Sequence, residues 1–167
     1  DSLWNEWCNL AVARSIPGSL EFVRLADSLG FYVYYLSNRK EAFVLQGTIK
    51  NLQDLGFPQV EEKNMLLRKF ANDKEPRRKI IQEDHEICLL IGDNLGDFFT
   101  DAETPSERDE QVSKFADRFG ENYIILPNAM YGNWVQSHSL FDDPRQTKIL
   151  LDSMVKDFDI KLLEKSE

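Results

Sequence analysis

The chain has 167 residues, 42% of them hydrophobic and 29% charged, with a formal net charge of −9. That length and composition describe one globular domain with a real core, and the acidic balance argues against a nucleic-acid polymer as partner. No apolar run approaches the roughly 20 residues of a membrane span.

The chain opens at Asp1, without an initiator methionine, on a polar segment that bears tryptophans, so it reads as an internal start and not as a signal peptide. A helix follows Pro17, lining up Phe22, Val23, Leu25, Ala26 and Leu29 on one face and stopping at Gly30. Residues 31–36, rich in aromatics, read as a strand. Leu45, Ile49, Leu52 and Leu55 make a second amphipathic helix, ended by Gly56 with Pro58 beyond it. The five apolar residues 87–91 read as a buried strand that contains Cys88 as a small buried hydrophobe. The polar stretch 100–108 reads as a surface loop or insertion, and Val112, Phe115, Ala116 and Phe119 as a third helix ended by Gly120. Residues 123–126 form another short strand, and a last helix starts at Asp142, Asp143 and Pro144. Strands alternating with helices predict an α/β fold, a mostly parallel sheet flanked by helices in one domain over residues 1–167. Cys8 and Cys88 have no metal or redox spacing and make no disulfide framework.

Three of these strands run into polar residues. Leu36 leads into Ser37, Asn38 and Arg39. Ile91 leads into Gly92, Asp93, Asn94, Leu95, Gly96 and Asp97. Leu126 leads into Pro127 and Asn128, with Tyr131 and Trp134 beyond. In parallel α/β sheets ligands bind at the carboxyl ends of strands. Asp93 and Asp97, four positions apart, repel each other unless a cation stands between them, and Mg²⁺, which takes oxygen ligands, suits them. Lys74 opens a further helix within reach of a phosphoryl group. Taken singly, the aspartates are also common helix caps, Ser37 a turn residue, Lys74 a solvated charge, and Arg77 and Arg78 surface or structural charges. The glycines of residues 92–96 lack the ending of a nucleotide P-loop.

In this order, Trp4 and Trp7, residues 16–18, 35–39, 51–52 and 55–58, Lys74 ahead of Arg77 and Arg78, residues 92–98, and residues 126–128 with Met130, Tyr131 and Gly132 are specific. The chain resembles the class C bacterial nonspecific acid phosphatases, the lipoprotein acid phosphatase type of the haloacid dehalogenase (HAD) superfamily. The resemblance implies a HAD-like Rossmannoid fold and a magnesium-dependent acid phosphomonoesterase. It also implies an aspartyl-phosphate intermediate, with nucleoside monophosphates and aryl phosphates as substrates. On it, Ser37 donates a hydrogen bond to the phosphoryl group and Lys74 pairs with the phosphate and the nucleophilic carboxylate. Asp93 is a magnesium ligand, and Asp97 completes or supports the metal site. Tyr131 stacks near the leaving group, and Trp4 lines the same entrance. A secreted, periplasmic or outer-membrane lipid-anchored protein is implied too, and a homo-oligomer is left open.

One departure stands out. The family's first motif carries two aspartates, the nucleophile and the general acid and base, on a central strand upstream of the tryptophan pair, and no such motif occurs here. Asp157 and Asp159 have the spacing but follow a helical pattern. The expectation is therefore a C-terminal portion of a longer protein, inactive alone, whose central strand comes from the missing N-terminal segment or from another chain. The alternatives are a catalytically inactive relative used for storage or binding, and a phosphotransferase of the same superfamily.

Overall fold

The computed structural model describes residues 2–128 and Arg145. The chain divides into two compact units, Asp1–Asp84 and His85–Glu167, each taken in turn. Parallel strands flanked by helices make the whole an α/β protein. Among the described residues each unit holds one two-stranded sheet.

The first unit holds α1 (Ser2–Leu10), α2 (Ser19–Ser28), β1 (Tyr35–Lys40), α3 (Glu41–Leu55), β2 (Met65–Arg68) and α4 (Glu75–Gln82). β1 and β2 run parallel, with Tyr35 opposite Met65 and Ser37 opposite Leu67. The crossover that a parallel pair requires is α3. The register then shifts, so that Lys40 stands opposite Arg68 and Asn38 and Arg39 leave the regular ladder. The core gathers Cys8, Val44, Ile49, Val60, Met65 and Leu67. Gly47 lets α3 approach α1 closely: a Cβ there would lie 2.6 Å from Asn9 Cα and 2.7 Å from the Cys8 carbonyl. Asn51 joins the same pair of segments, accepting from the Ala13 amide and donating to its carbonyl.

One expectation for this unit is corrected. The strand predicted at residues 31–36 begins only at Tyr35. Upstream of it the chain is satisfied by side-chain amides in place of a ladder. Gln59 donates to Phe31 O and accepts from Val33 N, while Asn64 donates to Val33 O. The helix after Pro17 forms, and its Gly30 ends it at φ 86° in the left-handed region, with Phe31 N bonded back to Ala26 O. Its apolar face is not buried, however, and Phe22, Leu25 and Leu29 are all exposed. Arg77 and Arg78, read from sequence as either surface or structural charges, lie in the interior.

The second unit is described as β3 (Leu90–Gly92), α5 (Pro105–Lys114) and β4 (Tyr123–Ile125). β3 and β4 are parallel, with Leu90 opposite Tyr123 and Gly92 opposite Ile125. Leu95, Phe98, Phe99 and Ala102 are its buried core, with Leu90, Phe115, Phe119 and Tyr123 packed against them. The rings meet at centroid distances of 5.0 to 6.3 Å, stacked, tilted or edge-on, as aromatic quadrupoles prefer.

Here too the sequence reading needs correcting. The run 87–91 is a strand only at its end, and Cys88 and Ile91 are exposed because the aromatic core covers Leu90 and Tyr123 instead. Both cysteines are free. The stretch 100–108 is not wholly a loop. Thr104 caps α5 through a reciprocal pair with Glu107, whose carboxylate those bonds hold below its usual range. The third helix ends at Lys114, and Phe115 and Phe119 reach the core from the turn after it. Tyr131, Trp134, Asp157, Asp159 and the helix expected from Asp142 lie outside the described residues, apart from the helical Arg145.

Candidate active site

In the first unit the candidate groups collect at the carboxyl end of β1. Ser37 lies on β1, and its hydroxyl oxygen accepts from the Arg39 amide at 3.2 Å. Lys74 caps the N-terminus of α4, and its ammonium donates to Leu36 O at 3.4 Å, one residue from Ser37. The structure therefore brings Ser37 and Lys74 to the same strand end, although 37 positions separate them in sequence.

Trp4 joins this neighbourhood through Arg39. It stacks on Trp7 with ring centroids 5.2 Å apart, and the Arg39 guanidinium lies 6.0 Å from the Trp4 ring and 5.7 Å from the Trp7 ring. Arg39 also donates to Thr48 Oγ1 at 3.1 Å, which fixes it to α3. Both tryptophans remain partly open to solvent, so the stack offers an aromatic and cationic surface beside Ser37.

Sequence reasoning set Arg77 aside. The guanidinium is buried and donates to Ser37 O and Asn38 Oδ1, both at 2.6 Å, and to the Asn72 and Asp73 carbonyls at 3.1 and 3.0 Å. No local pattern signals this role, because two of its acceptors, Ser37 O and Asn38 Oδ1, lie some forty positions upstream.

In the second unit Asp93 follows β3 directly and is exposed. Asn128, which follows β4, donates to Asp93 Oδ2 at 2.9 Å, so the parallel pairing sets the two strand ends side by side. Asp97 turns back under Asp93, where its Oδ2 accepts from the Asp93 and Asn94 amides at 3.0 and 3.1 Å. Asn94 in turn accepts from Gly96 N, which completes a capping box around the short turn 95–97. Gly92 makes room for this: a Cβ there would stand 2.5 Å from Asp97 Oδ2. The turn thus uses Asp97 as a brace and leaves Asp93 facing outward.

The donor set is carboxylate and amide oxygen, which suits a hard cation such as Mg²⁺. Among the described residues no three histidine, cysteine, aspartate or glutamate side chains gather into a metal-binding group. Tyr131 lies outside the described residues.

A model of the HAD superfamily, subfamily IIIB (acid phosphatase), matches residues 1–134. The chain belongs to that family. Its structure is similar to that of the class C acid phosphatase from Bacillus anthracis, at 38% identity and a TM-score of 0.79 over 90% of this chain. A form of the Bacillus anthracis enzyme with tungstate bound matches at 36% identity, a TM-score of 0.79 and the same 90% coverage. The chain spans 66% and 65% of the lengths of these two phosphatases.

Proposed function

We propose that the protein carrying this chain is a magnesium-dependent acid phosphomonoesterase that hydrolyses nucleoside monophosphates and aryl phosphates through an aspartyl-phosphate intermediate. The observation that carries the reading is Asp93, exposed at the carboxyl end of β3 and braced from behind by Asp97 within an acid-phosphatase family. Tungstate bound to the Bacillus anthracis relative supports an oxyanion as ligand, since it shares the tetrahedral oxygen arrangement of phosphate.

In this reading Ser37 donates its hydroxyl hydrogen to a phosphoryl oxygen. Lys74 supplies a cation to the same group, which a transferring phosphoryl needs more than it needs covalent help. Asp93 would hold Mg²⁺ through an outward carboxylate oxygen, with Asp97 holding the backbone that carries it. When bound, the ion would supply positive charge to the transferring phosphoryl group. Trp4, with Trp7 and Arg39, and Tyr131 would receive an aromatic leaving group. The nucleophile is an aspartate of the family's first motif and is not among these 167 residues; splitting the displacement into two steps lowers each barrier. Secretion or lipid anchoring of a bacterial enzyme belongs to the same proposal.

The test is hydrolysis of p-nitrophenyl phosphate by the full-length protein at acid pH, stripped with EDTA and resupplied with Mg²⁺. Activity that returns with the metal is the expected result, and full activity in EDTA would sink the metal assignment. The 167-residue chain alone is expected to be inactive. Product analysis with an alcohol acceptor present separates hydrolysis from phosphotransfer.

A further inference from the structure

Arg77 lies between the two segments that carry Ser37 and Lys74. The residue is 8% exposed, and one guanidinium nitrogen donates to Ser37 O at 2.6 Å and Leu66 O at 3.4 Å. The other donates to Asn38 Oδ1 at 2.6 Å, Asn72 O at 3.1 Å and Asp73 O at 3.0 Å. A rigid planar fork is the one side chain that addresses acceptors on several sides at once, whereas an ammonium is a point charge. Here the fork ties the carbonyl of Ser37 itself and the next residue to the two residues just ahead of Lys74. The shift of register after Ser37 takes Asn38 out of the strand ladder, so side-chain bonds have to hold that end of β1 in place.

We propose that Arg77 is a positioning residue that sets the separation between the Ser37 hydroxyl and the Lys74 ammonium. It touches neither the phosphate nor the metal. The proposal rests on the phosphatase reading, because a fixed hydroxyl-to-ammonium distance matters only if both groups engage one anion.

The experiment is a double-mutant cycle in the full-length protein. Arg77→Lys keeps the charge but removes the fork, and is expected to lower kcat for p-nitrophenyl phosphate on the order of 10- to 100-fold with circular dichroism unchanged. In a Lys74→Ala background the same substitution is expected to cost less than about threefold, since residues that act as a unit are not additive. Wild-type kcat and KM in Arg77→Lys, or the same fold-loss in both backgrounds, would overturn the proposal. If Arg77→Lys does not fold, Asn38→Ala, which removes one acceptor of the fork, runs the same cycle. Inorganic phosphate affinity, measured by calorimetry across the cycle, keeps the two readings apart. A wild type that binds phosphate without hydrolysing aryl phosphate sinks the phosphatase reading and leaves the binding cycle to decide on Arg77. One that does neither sinks both.

Discussion

The two halves of the chain hold their candidate groups by opposite means. In Asp1–Asp84 polar side chains are buried and grip backbone from distant segments: Arg77 on Ser37 and the loop 72–73, Asn51 on Ala13, Asn64 on Val33. In His85–Glu167 the described interior is a cluster of aromatic rings, and the polar groups are kept in a tight local turn, Asp97 on Asp93 and Asn94. The first arrangement sets positions by direction, because hydrogen bonds fall off steeply with angle. The second relies on bulk apolar packing to hold a strand end steady and leaves the carboxylates to local backbone geometry. Damage to the first half should therefore appear in catalysis before stability, and damage to the core of the second in stability before catalysis.

The largest expected effect is that of Asp93→Asn, which removes the outward carboxylate while keeping its shape. In the full-length protein, loss of kcat/KM on the order of 10²- to 10³-fold is predicted, with little change in Tm because the residue is exposed. A near-wild-type rate would remove Asp93 from the metal site. Next, Phe98→Ala empties the centre of the aromatic cluster and should cost about 3–5 kcal/mol in urea unfolding; a loss below about 1 kcal/mol would show that the cluster repacks. Gly92→Ala should cost about 1–3 kcal/mol, since its Cβ would collide with Asp97, whose displacement would also lower activity. A fully active and stable Gly92→Ala would show that the brace is dispensable.

The smallest effect tests the first half. The Tyr35 hydroxyl donates to Pro58 O at 2.6 Å, and burial, with the nearby Asp27, raises its pKa to about 12. The unfolded chain therefore loses that proton first, so stability should be level below about pH 10 and fall from there towards pH 12. Tyr35→Phe should cost about 1 kcal/mol at neutral pH and flatten that alkaline fall. An unchanged alkaline slope in the variant would assign the fall to other groups.

The elements that were legible in the sequence carry their own punctuation. α2 and α3 were visible from apolar period and from the glycines that stop them, and residues 123–125 from a short aliphatic run between turns. α1 and β2 were missed, although Trp4, Trp7 and Cys8 have helical spacing and Met65, Leu66 and Leu67 are apolar. Three apolar residues are too few for a periodic signal, and β2 becomes a strand only because β1 offers it a ladder. The opposite mismatch occurs at residues 87–91, where apolar content predicts a burial that the fold does not provide. Apolar side chains form strands readily, but which are covered depends on what packs across them, and there the rings of Phe98, Phe99 and Phe115 chose Leu90.

By itself the sequence determined the chemistry available: a hydroxyl, an ammonium and two carboxylates at strand ends, in an order that marks an acid-phosphatase family. Local composition suffices for that, because residue type and spacing fix what a group can donate, accept or bind. Only the tertiary structure decided that Asn128 meets Asp93 and that Lys74 meets β1 beside Ser37. It also decided between the two readings of Arg77, surface or structural charge, by burying its fork. These outcomes depend on acceptors that the fold brings together from far along the chain, and no local pattern records which backbone oxygen will be left in need of a donor.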